Sequence, residues 1–168
     1  KLDTSAPQAA VALTLTELRA KRYDKALAAI TGLEAKRPQD PMVHNLKGGV
    51  YLGMGDKAKA RASFEKALAL DPGYYAAVAN LAQLALKDNK PDVSKQLLER
   101  FLEKNKKNAE AMNSLADLAM RQGKTAEATG WLENASSENP ETLIQVLKLD
   151  NHYLAIADKE KALTLAHQ

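Results

Sequence analysis

The sequence has no cysteine, few aromatic residues and no long apolar run. Without cysteine, neither a disulfide framework nor a thiolate metal site can form. No stretch is long and apolar enough to span a bilayer, and none has the pattern of a signal peptide. The chain opens on Lys1 rather than methionine and ends inside a helical pattern, so we expect it to be an excerpt of a longer protein.

The net charge of the chain is also small. The 24 basic and 21 acidic residues are interleaved and leave a net charge of +3. Such a balance lacks the strong basic field that nucleic acids or anionic membranes attract. We therefore predict no nucleic-acid partner and no direct membrane insertion by this segment. The chain is 45% hydrophobic but only 5% aromatic, and its apolar share lies mainly in alanine and leucine, which favours helices over sheets.

A pattern of two helices and a tight turn, best preserved in residues 41–72, recurs along the chain every 34 residues. In that stretch the patterned positions are Gly48, Tyr51, Ala60, Phe64, Ala67 and Pro72. The small position of the second helix recurs as Ala26, Ala60, Ser94, Ala128 and Ala162, and the large position one turn later as Ile30, Phe64, Leu98 and Leu132. The closing proline recurs as Pro38, Pro72 and Pro140. A small side chain lets two helices approach while a bulky one fills the gap, so we expect these positions to be buried.

This pattern resembles the tetratricopeptide repeat family. The resemblance implies an all-α fold, a right-handed α-α superhelix (a solenoid) of about five helix-turn-helix repeats, the last one incomplete. One solenoid segment, residues 1–168, would then hold repeats at about 7–40, 41–74, 75–108, 109–142 and 143–168.

A narrower resemblance rests on three runs, GGVYLGMGDKAKARASFEKALALDP, NLAQLALKDNKPDVSKQLLERFLEKN and WLENA. They are similar to the repeat lipoproteins that accompany bacterial exosortase (PEP-CTERM) sorting systems. That resemblance implies a periplasmic scaffold, anchored to the outer membrane through a lipidated cysteine upstream of this segment. Such a scaffold would organise partners in protein sorting or exopolysaccharide export.

The first and fourth copies differ from the best-preserved one. In the first, Thr14 replaces the small residue, Glu17 the aromatic one and Lys21 the turn glycine, so we interpret it as an end repeat with polar outer positions. In the fourth, Trp131 precedes the bulky position Leu132, and we expect it to be partly buried near the next repeat.

Two lysine positions also depart from the family pattern. Lys47 stands where the family has a bulky apolar residue, and we expect its stem to lie over the partner helix while Leu46 fills the apolar place. The run 104–108 puts Lys106 where the closing proline would be, but Asn105 and Asn108 still supply turn and capping chemistry. Three lysines without aromatic neighbours indicate a solvated loop rather than a phosphate site.

No catalytic, metal or cofactor site is predicted. The three histidines, at 44, 152 and 167, fall in different copies without carboxylates at ligand spacing, and no serine sits in a glycine elbow near a histidine base. The glycines around residues 48–55 lack the lysine and strand of a phosphate loop. We therefore predict that the segment is not an enzyme.

A line of apolar residues recurs on the first helix of each copy, where we expect it to face the hollow of the superhelix. We call this line and its neighbours the groove strip. Its apolar members are Leu18, Leu52, Leu86, Met120 and Leu154. Its flanking members are Asn45, Gly49, Gln83, Lys87, Asn113, Asp117, Arg121 and Asn151, and Ala79 and Leu147 lie beside them. The strip suits an extended peptide or an amphipathic helix of a partner protein, the alternative being that its apolar residues belong to the core.

Three functions remain open. The first is the envelope scaffold. The second is a cytosolic co-chaperone or adaptor that clamps an acidic peptide tail through Asn45, Lys87 and Arg121, although the first copy offers only Val11 and Leu15 there. The third is a regulatory arm of an enzyme domain outside this segment. The last copy would leave apolar surface at residues 163 and 165 uncovered, which favours end-to-end self-association of the segment.

Overall fold

The computed structural model describes residues 5–156, 164 and 166. These residues form α-helices joined by short turns, and no strand occurs among them. The helices are α1 (Ser5–Arg19), α2 (Tyr23–Lys36), α3 (Pro41–Gly53), α4 (Lys57–Leu70), α5 (Tyr75–Lys87), α6 (Pro91–Lys104), α7 (Ala109–Arg121), α8 (Thr125–Glu138) and α9 (Leu143–Ala155). The predicted all-α fold class is confirmed. The second half of the last predicted repeat, from residue 157 to residue 168, lies largely outside the described residues.

Side-chain caps fix where several helices begin. The Asp40 carboxylate accepts from the backbone N–H of Met42 at 3.0 Å, and Pro41 opens α3. Asp56 caps α4 in the same way through Lys59 N–H, and Asn108 caps α7. These oxygens satisfy amide groups that have no partner inside the helix. The capping role predicted for Asn108 is confirmed.

The turns between paired helices share one position with a left-handed backbone conformation. Lys21, Gly55, Asn89 and Gly123 all have positive φ angles, of 57°, 82°, 57° and 72°. Glycine adopts this left-handed backbone without a steric penalty, and asparagine tolerates it better than most residues. Lys21 is therefore the one residue of the four that is poorly suited to this conformation.

The core follows the predicted alternation of small and large residues. The small positions Ala26, Ala60, Ser94 and Ala128 are at most 1% exposed. Of the large positions, Ile30, Phe64 and Leu98 are buried. Close approach is tightest between α3 and α4, where a Cβ on Gly48 would lie 2.4 Å from Cε1 of Phe64.

The chain forms two compact units, which we call unit 1 (residues 1–89) and unit 2 (residues 90–168). In unit 1, α1 pairs with α2 and α3 with α4, while α2 also packs on α3 and α4 on α5. In unit 2, α7 pairs with α8, and α6 and α9 pack on α7 and α8 respectively. The division of residues 1–168 into five repeats of one segment stays a prediction.

Three side chains lie elsewhere than the sequence suggested. Thr14 and Glu17 are buried rather than outward-facing: the Thr14 hydroxyl donates to the Ala10 carbonyl at 2.7 Å, and Glu17 pairs with Arg22. Their polar groups are tolerated inside because each has a local partner. Leu132 is half-buried, and it joins the cluster of α7 and α8 to Leu149 and Tyr153 of α9.

Trp131 is half-buried, as expected. It packs against a cluster formed by Ala116 and Ala119 of α7 and Ala128 of α8. The indole therefore covers the α7–α8 interface, while the neighbouring Leu132 makes the contact with α9.

Candidate partner-binding surface

In unit 1 the apolar members of the groove strip are half-buried. Leu18 packs against the cluster that contains Ile30 and Val50, and Leu52 and Leu86 are also only partly exposed. The flanking residues Gln83 and Lys87 are exposed. Leu18 therefore contributes to the core as well as to the surface. The strip was interpreted either as a binding surface or as core, and Leu18 has features of both.

Gly49 and Ala79 are the small members of the strip in unit 1. Both are half-buried, and no heavy atom lies within 4 Å of the place that a Cβ on Gly49 would take. The surface beside Gly49 is therefore open enough for a partner's backbone to approach.

Unit 1 also has an apolar cleft of about 300 Å³ along α1 and at the first turn of α3. Val11 and Leu15 of α1 and Met42 of α3 line it, together with Arg37. The guanidinium of Arg37 lies 3.6 Å from the Asp40 carboxylate, so its charge is largely compensated. A cleft with these walls accommodates an apolar side chain better than an acidic one.

In unit 2 the strip is open to solvent except at Asn113, which is buried. Met120 of α7 and Leu154 of α9 are 42% and 55% exposed. Asp117, Arg121 and Asn151 beside them are exposed as well. On α9 the exposed apolar surface extends through Leu143, Ile144 and Leu147. Large apolar side chains exposed together on one helix are typical of a surface that binds another molecule.

Two side-chain amide bridges link first helices of successive repeats. In unit 1, Nδ2 of Asn80 in α5 donates to the side-chain oxygen Oδ1 of Asn45 in α3 at 2.9 Å. In unit 2, Nδ2 of Asn113 in α7 donates to the side-chain oxygen Oε1 of Gln145 in α9, also at 2.9 Å. Both members of this second bridge are 7% exposed, and the Asn113 side-chain oxygen has no hydrogen-bond partner.

The sequence pattern found one member of each bridge. Asn45 and Asn113 stand at the same place in their copies, but their partners Asn80 and Gln145 lie one residue after and two residues before the corresponding place. A search at a fixed period therefore misses them. The sequence feature that could have indicated these partners is the presence of amide side chains on the first helices of neighbouring repeats.

Ion pairs stabilise helix packing away from the strip. Lys47 reaches Glu34 of α2, and Leu46 packs, as expected, against the cluster that contains Ile30 and Val50. That the Lys47 stem lies over its partner helix stays a prediction. In unit 2, Lys95 of α6 pairs with Glu127 of α8, and this hydrogen bond raises the pKa of Lys95 and lowers the pKa of Glu127. By contrast, Asp117 and Arg121 form no ion pair with another described residue.

The described histidines serve packing. His44 is buried, with Nε2 2.7 Å from the Pro38 carbonyl, and His152 Nε2 lies 2.7 Å from the Thr129 hydroxyl. Across residues 5–156 no three metal-ligating side chains gather into a site. His167 lies outside the described residues.

No helix in the described part of the chain has the length and apolar character needed to cross a membrane. The lysine run ends α6 at Lys104 and leads through a short turn to Ala109, as expected of a loop. Within it the Asn105 side chain donates to the Phe101 carbonyl at 3.0 Å.

Solved structures share this fold. PilF of Pseudomonas aeruginosa superposes with a TM-score of 0.69 at 16% identity, over 98% of this chain and 75% of that one. PilW, described as a type IV pilus biogenesis factor, gives 0.65 at 23% identity, over 97% and 76%. A chain of the Naa15/Naa10 complex bound to HypK-THB gives 0.64 at 18% identity, over 95% and 24%. No curated protein sequence matches the chain significantly.

The helix pairs, their shared turn position and the small-then-large core all follow one repeating unit. The sequence model of the family described as "Tetratricopeptide repeat" matches residues 7–77 and 79–140, which is well over half of the sequence. This chain belongs to the tetratricopeptide repeat family.

Proposed function

We propose that the segment is a non-enzymatic scaffold that holds a protein or peptide partner along the groove strip. The observation that carries the proposal is the exposure of Met120 and Leu154 at equivalent places of α7 and α9. Large apolar side chains without a core role are costly to keep in water, and a partner's apolar side chains would cover them. The Naa15 complex with HypK, a neighbour in fold, supports protein binding as the general role.

The remaining strip residues would orient such a partner. Asp117 and Arg121 present both charge signs and have no ion pair with another described residue, while Asn151 offers a side-chain amide. A segment bound to unit 1 would meet the open surface at Gly49 and the exposed polar side chains of Gln83 and Lys87. Mixed polar groups around an apolar line favour a segment with alternating apolar and polar side chains.

We place this scaffold in the bacterial envelope. The resemblance to exosortase-associated lipoproteins and the likeness in fold to PilW both favour that compartment. An acidic-tail clamp is less favoured, because the Asn45 side chain is engaged by Asn80. Fractionation of a tagged full-length protein tests the compartment, and recovery in the cytosol would contradict it.

Peptide selection tests the strip. Peptides enriched from a random display library on the full 168-residue chain would be labelled, and their Kd measured by fluorescence anisotropy. Changing Met120 and Leu154 together to glutamate should raise Kd by about tenfold or more, because each charge would enter an apolar contact.

The matched control changes Leu13 and Val93 to glutamate. These side chains are 50% and 40% exposed, lie off the strip and receive the same added charge. Binding that survives the Met120/Leu154 change, or falls equally in the control, would exclude the strip as the binding surface.

A further inference from the structure

The turn between α1 and α2 forms a basic cleft that borders the groove strip near Leu18 and Leu52. Lys21, Arg22 and Lys25 line it together with Tyr23 and Met54, and its volume is about 500 Å³. We call it the turn cleft. All of its residues belong to unit 1, and none is a member of the strip.

The cations of the turn cleft are only partly compensated. Arg22 pairs with the buried carboxylate of Glu17, which holds the guanidinium in place. Lys21 and Lys25 are exposed and form no ion pair with another described residue. Asp24 also lines the cleft and offsets one charge. The three cations and the two carboxylates, of Glu17 and Asp24, together carry one net positive charge. An anionic group that approaches the two free ammonium groups therefore gains attraction.

Lys21 occupies its place at a conformational cost. Its φ angle of 57° is the left-handed value that the other repeats assign to Gly55, Asn89 and Gly123. A long side chain with a Cβ is disfavoured there, and glycine would be the easier residue. A strained residue that brings a free cation to a cleft points to a role in binding.

One wall of the turn cleft is apolar and well supported. The Tyr23 ring packs against the end of α3, where a Cβ on Gly53 would lie 2.6 Å from Tyr23 Cε1. Met54, 42% exposed, extends the same wall. A fixed aromatic ring beside a flexible thioether accommodates an apolar side chain.

We propose that the turn cleft binds an acidic segment of a partner protein that also carries an apolar side chain. Carboxylates of the segment would lie at Lys21 and Lys25, and its apolar side chain against Tyr23 and Met54. The charge of the cleft selects the acidic residues, and the volume between its walls accommodates a whole side chain rather than a bare ion. The turn cleft would thus be a second docking point, built from residues that are not members of the strip.

The probe is a fluorescein-labelled, glutamate-rich peptide that contains phenylalanine, titrated with the full chain in an anisotropy assay. We expect saturable binding that weakens as salt concentration rises. Changing Lys21 and Lys25 together to glutamate should raise Kd about tenfold. Replacing phenylalanine in the peptide with alanine should also weaken binding, because the apolar wall then has no ligand.

The matched control reverses Lys106 and Lys107, two exposed lysines in a loop of unit 2. Its charge change is identical, so an equal loss of binding would show non-specific attraction and overturn the proposal. Absence of saturable binding would overturn it too. If phosphatidylglycerol vesicles bind with the same dependence on Lys21 and Lys25 while the peptide does not, the ligand is a lipid surface and the proposed partner is wrong.

Lys21→Gly separates a binding role from a structural one. It relieves the left-handed strain, so the midpoint of thermal unfolding should rise, and it removes a cation, so peptide binding should weaken. A variant that is more stable and binds equally well would show that Lys21 has no part in the cleft's function.

Discussion

At the scale of single residues, two adjacent glycines of α3 have opposite surroundings. A Cβ on Gly48 would lie 2.4 and 2.6 Å from two ring atoms of Phe64, a buried side chain that cannot move without disturbing its neighbours. A Cβ on Gly49 would meet no heavy atom within 4 Å. The same substitution should therefore have opposite effects at the two positions.

We predict that Gly48→Ala lowers the free energy of unfolding by about 1–3 kcal/mol through overpacking. Gly49→Ala should raise it by about 0.5–1 kcal/mol, because alanine loses less entropy in a helix. Urea unfolding followed by circular dichroism measures both. Equal effects of the two changes would mean that α3 and α4 do not approach as closely as described.

At the scale of helices, the amide bridge between Asn113 of α7 and Gln145 of α9 fixes how these two helices meet but costs stability. Asn113 and Gln145 are 7% exposed, yet the Asn113 oxygen finds no donor. An unsatisfied buried acceptor costs more than a neutral hydrogen bond returns, whereas replacing both partners by apolar groups of similar shape is close to neutral.

We predict that Gln145→Met alone lowers the free energy of unfolding by about 1–3 kcal/mol, because it leaves the buried Asn113 amide without a partner. Adding Asn113→Leu should restore stability to the wild-type value or above. A double-mutant cycle by urea unfolding gives the coupling. Additive losses in the double variant would contradict this account.

The sequence predicted the helices better than the contacts between them. Turn and core positions recur at one period, because each repeat solves the same packing problem, and the predicted core positions Ile30, Phe64 and Leu98 are buried. Asn80 and Gln145 were missed because two side chains can form a hydrogen bond wherever they lie close together, whether or not they occupy equivalent positions of the repeat. The exposure of Met120 but not Leu52 was also beyond reach, since equivalent residues differ only through their neighbours.

At the scale of the molecule, the two compact units raise the question of cooperativity. In repeat proteins each helix pair is stabilised mainly by adjacent pairs, so a local defect need not spread along the chain. Contacts within unit 1 and within unit 2 involve separate sets of helices, α1–α5 and α6–α9. A core defect in one unit should therefore loosen that unit first.

Phe64 and Leu115 test this expectation as a pair, since both are at most 2% exposed and lie in different units. Phe64→Ala should cost about 3–5 kcal/mol and Leu115→Ala about 2–5 kcal/mol. Hydrogen exchange followed by mass spectrometry should show faster exchange in α3 and α4 for the first variant, and in α7 and α8 for the second. Because each variant serves as the other's control, faster exchange of all four helices in both would show that the segment opens as one cooperative body, and the division into two units would then have no energetic meaning.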